Sequence, residues 1–202
     1  MRKVLLLTLA LILASTTPAF SQPPTIIERA RLSTVKIEVP TGVGDEQVYF
    51  CTGVIVGIIR VVAADHCVPP DYHTILVNGV PGSKVVKRKV DRAAYDGLIL
   101  LDVPSGLGPI IKIAPREPKV GDLVTTLGYV DTGGNYVALR RSVASYGIPP
   151  TDKIMALDGT LVKGMSGGPV INEQGELVGI NQSVAGGLGL TTRLKAIREF
   201  LK

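Results

Sequence analysis

Short apolar bursts rich in β-branched residues recur about every ten positions along the chain, each closed by turn-forming residues. In the first half they predict strands at Val35–Val39, Val48–Val56, Ile59–Ala63, Ile75–Val77, Val85–Val90, Leu98–Val103 and Ile110–Ile113. In the second half they predict Leu123–Tyr129, Tyr136–Tyr146, Ile154–Leu157, Pro169–Asn172 and Leu177–Ser183. Turn signals separate them: Asn78-Gly79, Pro81-Gly82, Gly133-Gly134-Asn135, Pro149-Pro150 and Asp158-Gly159. Regular spacing of this kind, with 23 Gly and 14 Pro in the chain, predicts an all-β sandwich or barrel. Long helices between strands are missing, which disfavours a parallel α/β sheet. Helical patterns fall only at the ends. Thr25–Arg31 follows Pro23-Pro24, a good helix start. Thr192–Lys202 places Leu194, Ile197, Phe200 and Leu201 on one face.

The pattern at the extreme N-terminus is of another kind. Met1-Arg2-Lys3 is a basic start, Val4–Ala14 is an uncharged, mostly apolar run, and Ala19 and Ser21 are small residues two apart. This is the form of a secretory signal peptide over residues 1–21, and the run is too short for a span of about 20 residues. The mature domain is then expected to be 22–202, secreted or periplasmic, with no membrane attachment after cleavage. Secretion changes the reading of the two cysteines, Cys51 and Cys67. An even pair in an oxidising compartment favours a disulfide. A metal site from Cys51, His66, Cys67 and His73 is the disfavoured alternative, because adjacent ligands lack the spacing of structural zinc motifs.

Composition narrows the function classes. Two of the positive residues behind the net charge of +5 are Arg2 and Lys3, so the rest carries only a mild excess. Lys and Arg do not cluster with interleaved aromatics, and nucleic-acid binding is not expected. The absence of Trp makes the core aliphatic.

Three segments carry chemistry. Val61–Cys67 is a strand running into a polar turn that presents His66; Tyr95–Leu101 puts Asp96 at the mouth of an apolar strand; Gly164–Val170 sets Ser166 among three glycines. A serine hydroxyl is a poor nucleophile at neutral pH and needs a base, which in turn needs an orienting acid. His66, Asp96 and Ser166 supply these groups. The N–H groups of Gly164 and Ser166 can point to one side of the turn as donors for a developing oxyanion. Asp91 and Asp102 are alternatives for the acid, and Asp65 is either a loop-surface residue or a rival partner for the imidazole.

These segments resemble the chymotrypsin-like (trypsin-fold) serine proteases. AADHC (63–67) is similar to the TAAHC box, and GMSGGPV (164–170) to the GDSGGPV box. The segments TIIERARLSTVKIEV (25–39), KVGDLVTTLGYV (119–130), GELVGINQSV (175–184) and GLGL (187–190) resemble the bacterial HtrA-type branch and its compact relatives. The resemblance implies two six-stranded antiparallel β-barrels with the active site between them and a C-terminal helix. It implies His66 as general base, Asp96 as its orienting acid, Ser166 as nucleophile, and Gly164 and Ser166 as the oxyanion hole. Cys51 and Cys67 match the disulfide that braces the histidine loop in trypsin-like members, a bridge HtrA-type proteins generally lack.

The departures are informative. Met165 stands where trypsin-like zymogens carry the Asp that pairs with a new N-terminus, so no activation by that route is expected. Thr160 matches the base of the primary specificity pocket, and Gln182, Ser183 and Val184 its wall. A neutral Thr and a branched Val there imply small or aliphatic residues before the scissile bond. An α/β-hydrolase would place its His after the Ser, whereas His66 and His73 both precede Ser166. The expected protein is therefore a secreted serine endopeptidase acting on polypeptides through an acyl-enzyme, without metal or organic cofactor and without a PDZ module. The alternative is a catalytically silent protease-fold binding protein. Oligomeric state is not legible.

Overall fold

The computed structural model describes residues 24–40, 48–89, 97–132, 134–147 and 151–202. The expected signal peptide, Val90, Asp91, Asp96, Gly133 and Pro149-Pro150 lie outside these residues. The first element is helix α1 (Ile26–Leu32). Its N-cap, Thr25, accepts from the Glu28 N–H at 3.2 Å, while the Glu28 carboxylate accepts from the Thr25 N–H at 2.6 Å. Two orphan donors of the helix end are thereby satisfied.

Six antiparallel strands follow: β1 (Thr34–Pro40), β2 (Val48–Gly57), β3 (Arg60–Ala64), β4 (Leu76–Val77), β5 (Lys84–Lys89) and β6 (Leu98–Asp102). They form one sheet in the order β4-β1-β2-β3-β6-β5. Strand β1 shows why: Val35, Ile37 and Val39 are wholly buried on one face, while Lys36 and Glu38 pair at 2.8 Å on the other. That alternation is the period of a half-buried strand. The sheet ends are guarded, since β4 is two residues long and β5 carries Lys84, Lys87, Arg88 and Lys89.

The second half comprises β7 (Leu123–Tyr129), β8 (Tyr136–Tyr146), β9 (Ile154–Leu157), β10 (Pro169–Ile171), β11 (Leu177–Ala185) and β12 (Leu188–Arg193). They close into a barrel ordered β10-β11-β12-β9-β8-β7, in which Val170 of β10 pairs with Thr126 of β7. The fold is thus two six-stranded antiparallel units, a half-barrel and a closed barrel, followed by helix α2 (Leu194–Leu201). Glu117 accepts from the Lys195 N–H at the start of α2 (3.0 Å), and Lys87 Nζ donates to the Phe200 carbonyl near its end (2.6 Å). Opposite charges at the two helix ends both favour the helix dipole.

A shared core joins the halves. Val54, Val62 and Leu98 from the half-barrel pack with Leu127, Ile171, Leu177 and Ile180 from the barrel, under Ile197 and Phe200 of α2. Two expectations need correction. Ile110–Ile113 is no strand: Ile111 N–H donates to Ile55 O (2.9 Å), and Ala114 N–H to Leu177 O (3.0 Å). The segment is a strap that touches each half in turn, with Ile113 making a single bridge to Leu177. The helix expected from Thr192 starts later, because residues 188–193 form a strand. Thr192 and Thr191 pair with Ile154 and Met155, and the helix begins only at Leu194. β-branched residues with a partner strand available prefer the pleated ladder.

Candidate active site

The histidine turn is built by β3. The strand ends at Ala64 and continues into a single 3-10 turn, Asp65–Cys67. Asp65 N–H donates to the Gly97 carbonyl (2.9 Å), which ties the turn to the entry of β6. Arg88 reaches over from β5, pairs with the Asp65 carboxylate at 2.5 Å, and donates to the Val68 carbonyl at 2.6 Å. Asp65 is therefore committed to Arg88. Cys67 is bonded to Cys51 of β2, with Cα atoms 5.8 Å apart. One ring nitrogen of His66 and the two sulfurs lie within 4.8 Å of one another. Both sulfurs are spent in the disulfide and offer no thiolate, which removes the metal reading. The His66 ring has a solvent-facing edge, but the surrounding atoms desolvate its charged form. That burial outweighs the attraction of Asp65 and holds its pKa below the ordinary 6.5.

The serine turn is built by glycines that must be glycines. Gly164 has φ +96° and Gly167 φ +82°. A Cβ on Gly164 would come within 2.6 Å of Asp131 N, and one on Gly167 would collide with the Thr52 carbonyl. The backbone hydrogen bonds orient the peptides. Lys163 O accepts from Asp131 N–H (3.0 Å), so the Gly164 N–H of the same trans peptide points away from Asp131. Met165 O accepts from Gly168 N–H (3.0 Å), so the Ser166 N–H points away from Gly168. Neither N–H meets a backbone acceptor among the described residues. The Ser166 hydroxyl donates to the Gln182 carbonyl at 3.0 Å.

His66, Gly164 and Ser166 line one cleft of about 820 Å³, together with Cys51, Tyr49, Tyr72, Asp131 and Lys163. Sequence reasoning named the first four of these. Asp96 lies outside the described residues, but its neighbour Gly97 accepts from Asp65 N–H and from Gln182 Nε2 (3.0 Å). Asp102 is at the far end of β6, paired with Arg60 at 2.6 Å. The Ala64↔Leu98 and Arg60↔Asp102 register puts it about 13 Å along the strand from the histidine turn. Of the expected specificity residues, Gln182 has its side chain buried against Gly97 and Thr192. Ser183 is half-buried, and Val184 and Thr160 are exposed, the latter accepting from Arg141 at 3.0 Å. Sequence reasoning missed Thr52 and Arg88. A threonine in a strand and an arginine on a basic edge carry no signal of their own.

The fold is that of trypsin-like proteases. The structure superposes on the active form of the Rv3671c protease from M. tuberculosis with a TM-score of 0.72, at 22% identity, over 90% of this chain and 91% of that one. It superposes on a serine endoprotease from Yersinia pestis with a TM-score of 0.70, at 21% identity, over 90% of this chain and 66% of that one. The family model of the trypsin-like peptidase domain matches residues 51–180, well over half of the chain, and the chain belongs to that family. It is similar to serine protease HTRA1B of Danio rerio, 29% identical over 191 residues, covering 87% of this chain and 37% of that protein. HTRA1A of Danio rerio is 30% identical over 142 residues, covering 62% and 28%. The chain thus spans about a third of the length of these relatives. By class it is a trypsin-like peptidase domain, similar in sequence to serine proteases of the HtrA type. No described helix is long and apolar enough to cross a membrane.

Proposed function

We propose that the protein is a secreted serine endopeptidase that cleaves polypeptides through an acyl-enzyme on Ser166. The observation that carries this reading is that Ser166 and His66 line one cleft, with two N–H donors beside the nucleophile, those of Gly164 and Ser166, that meet no backbone acceptor among the described residues. Ser166 Oγ attacks the scissile carbonyl as its proton turns from the Gln182 carbonyl to His66. His66 then returns that proton to the leaving amine. The carbonyl oxygen, now an anion, is held by the two N–H groups. Asp96 orients His66; the link from Gly97 to the Asp65 turn supports it over Asp102. A His66 pKa below 6.5 keeps the ring neutral, as a base must be, at neutral pH.

Residues 1–21 act as the signal peptide, and the Cys51–Cys67 bridge suits an oxidising periplasm or exterior. Small or aliphatic residues are preferred before the scissile bond, in keeping with neutral Thr160 and branched Val184. Strong cleavage after Arg in a peptide panel refutes that preference. The primary test is a fluorophosphonate probe on the oxidised mature protein, with Ser166→Ala alongside. Stoichiometric labelling, lost in the variant, is expected. A folded wild-type protein that takes up no probe leaves a catalytically silent binding protein as the reading.

A further inference from the structure

The oxyanion turn lacks the zymogen-type Asp, since Met165 fills that position and is wholly buried. Something else must hold the turn. We propose that the Thr52 hydroxyl is a positioning group, a latch across the seam that keeps the Gly164–Ser166 turn in its donor-presenting form without activation cleavage. This inference rests on the protease reading above.

Thr52 lies in β2 of the half-barrel and is 0% exposed, and the turn it touches belongs to the other half. Its hydroxyl donates to the Gly164 carbonyl at 2.8 Å and accepts from the Tyr129 N–H at 2.9 Å. Its own N–H donates to the Ser166 carbonyl at 2.9 Å. One residue thus satisfies the first and third peptides of the turn and anchors them to the end of β7. With Lys163 O held by Asp131 and Gly164 O held by Thr52, the peptide planes on both sides of Gly164 are fixed. Gly164 is the residue whose lack of a Cβ would otherwise let the adjacent peptides rotate.

The barrel leaves room for this hydroxyl. A Cβ on Gly128 would lie 2.9 Å from Met165 Cα and 3.0 Å from Thr52 Oγ1, and one on Gly168 would lie 3.1 Å from Thr52 Cγ2. Thr52→Val keeps the shape but strands a buried carbonyl and a half-buried N–H, which the turn relieves by rotating away from its present form. Loss of one properly aimed oxyanion donor typically slows the chemical step by about 100-fold or more.

The test is saturation kinetics of fluorophosphonate inactivation on mature wild-type protein, Thr52→Val and Thr52→Ser, with thermal unfolding of each. Expected is a fall of at least about tenfold in the maximal inactivation rate for Thr52→Val, with the probe's half-saturation concentration within about threefold. Thr52→Ser, which keeps the hydroxyl, is expected to match wild type within about threefold. A purely structural role would lower the unfolding temperature without this split. A folded Thr52→Val that reacts like wild type overturns the latch, as does a Thr52→Ser that is as slow as Thr52→Val. Should Thr52→Val not fold, Thr52→Ser decides: wild-type reactivity upholds the hydroxyl role, and a tenfold loss overturns it. A wild-type protein that never labels would instead refute the protease reading itself.

Discussion

Breaking the Cys51–Cys67 bridge tests both the stability and the site. The two cysteines are 16 positions apart and both buried. In the chain-entropy relation a loop of that size removes about 10 cal/mol/K from the unfolded ensemble, or about 3 kcal/mol at 25 °C. Their Cα separation of 5.8 Å falls within the usual bridging range, so no backbone movement is needed to offset that gain. For a domain of this length each kcal/mol moves the unfolding midpoint by about 2–4 °C, so the bridge is worth about 6–12 °C. The hairpin of β2 and β3 lies inside the closed loop, pairing Val54 with Val62. Residual pairing there in the unfolded chain would trim the effect toward the lower figure. The assay is a circular-dichroism melt of wild-type protein, the same protein reduced, and the double variant Cys51→Ala, Cys67→Ala. Reduction leaves the sequence unchanged and isolates the bridge, and the double variant should no longer respond to reductant. Probe labelling should also slow on reduction, because Cys67 follows His66 and Cys51 precedes Thr52. A midpoint that moves by less than about 3 °C on full reduction refutes the entropic account.

Three other perturbations separate the parts of the site. The labelling rate should rise with pH along an acid limb whose midpoint is below 6.5, because burial depresses the His66 pKa and only the neutral ring is a base; Asp65→Asn removes a carboxylate whose attraction raises it and should move the limb lower still, and a shift upward refutes the assignment. Met165→Asp puts a carboxylate at a wholly buried position and should destabilise by about 3 kcal/mol or more in urea melts, the cost of burying an unpaired charge; wild-type stability would show that a cation reaches it. Glu117→Gln weakens the paired contact with Arg193, whose hydrogen bond holds the Glu117 carboxyl below its ordinary 4.5. A depressed acid stabilises the fold above its unfolded pKa and loses that stabilisation as pH falls through the folded one. The variant should therefore be about 1 kcal/mol less stable at pH 7, since water screens the partly exposed pair, and converge on wild type as the pH falls below 4.5 and through the lowered folded value, as read from urea midpoints.

Much of this was legible because strand periodicity and turn residues are local signals. Val35, Ile37 and Val39 declare an inward face without help from the rest of the chain, and Leu123–Tyr129 was bounded to the residue. The misreadings share a cause. Residues 110–113 are as apolar as a strand, but Ile111 N–H donates to β2 while Lys112 O accepts from Leu177 of β11, a choice made by the distant partners. Residues 188–193 sit between glycines and a helical stripe, and only the ladder edges of β11 and β9, between which they lie, make them a strand. In the site, His66, Gly164 and Ser166 stood out through short-range chemistry. Thr52 and Arg88 did not, because their roles rest on contacts 112 and 23 positions away.

The same distinction explains how the site stays assembled. His66 belongs to the half-barrel and Ser166 to the barrel, so their alignment depends on the seam between them. Polar bonds cross it at several points: Thr52 to Gly164 and Ser166, Thr52 to Tyr129, and Gln182 to Gly97. Each involves a buried group with no water to fall back on, so sliding one half would strand several partners at once. The apolar cluster of Val54, Val62 and Leu98 with Leu127 and Ile180 lies beneath them and resists the same displacement by packing. A turn locked in this way needs no new N-terminus to order it, which is why a buried Met165 can occupy a position that elsewhere holds the acid of an activation switch.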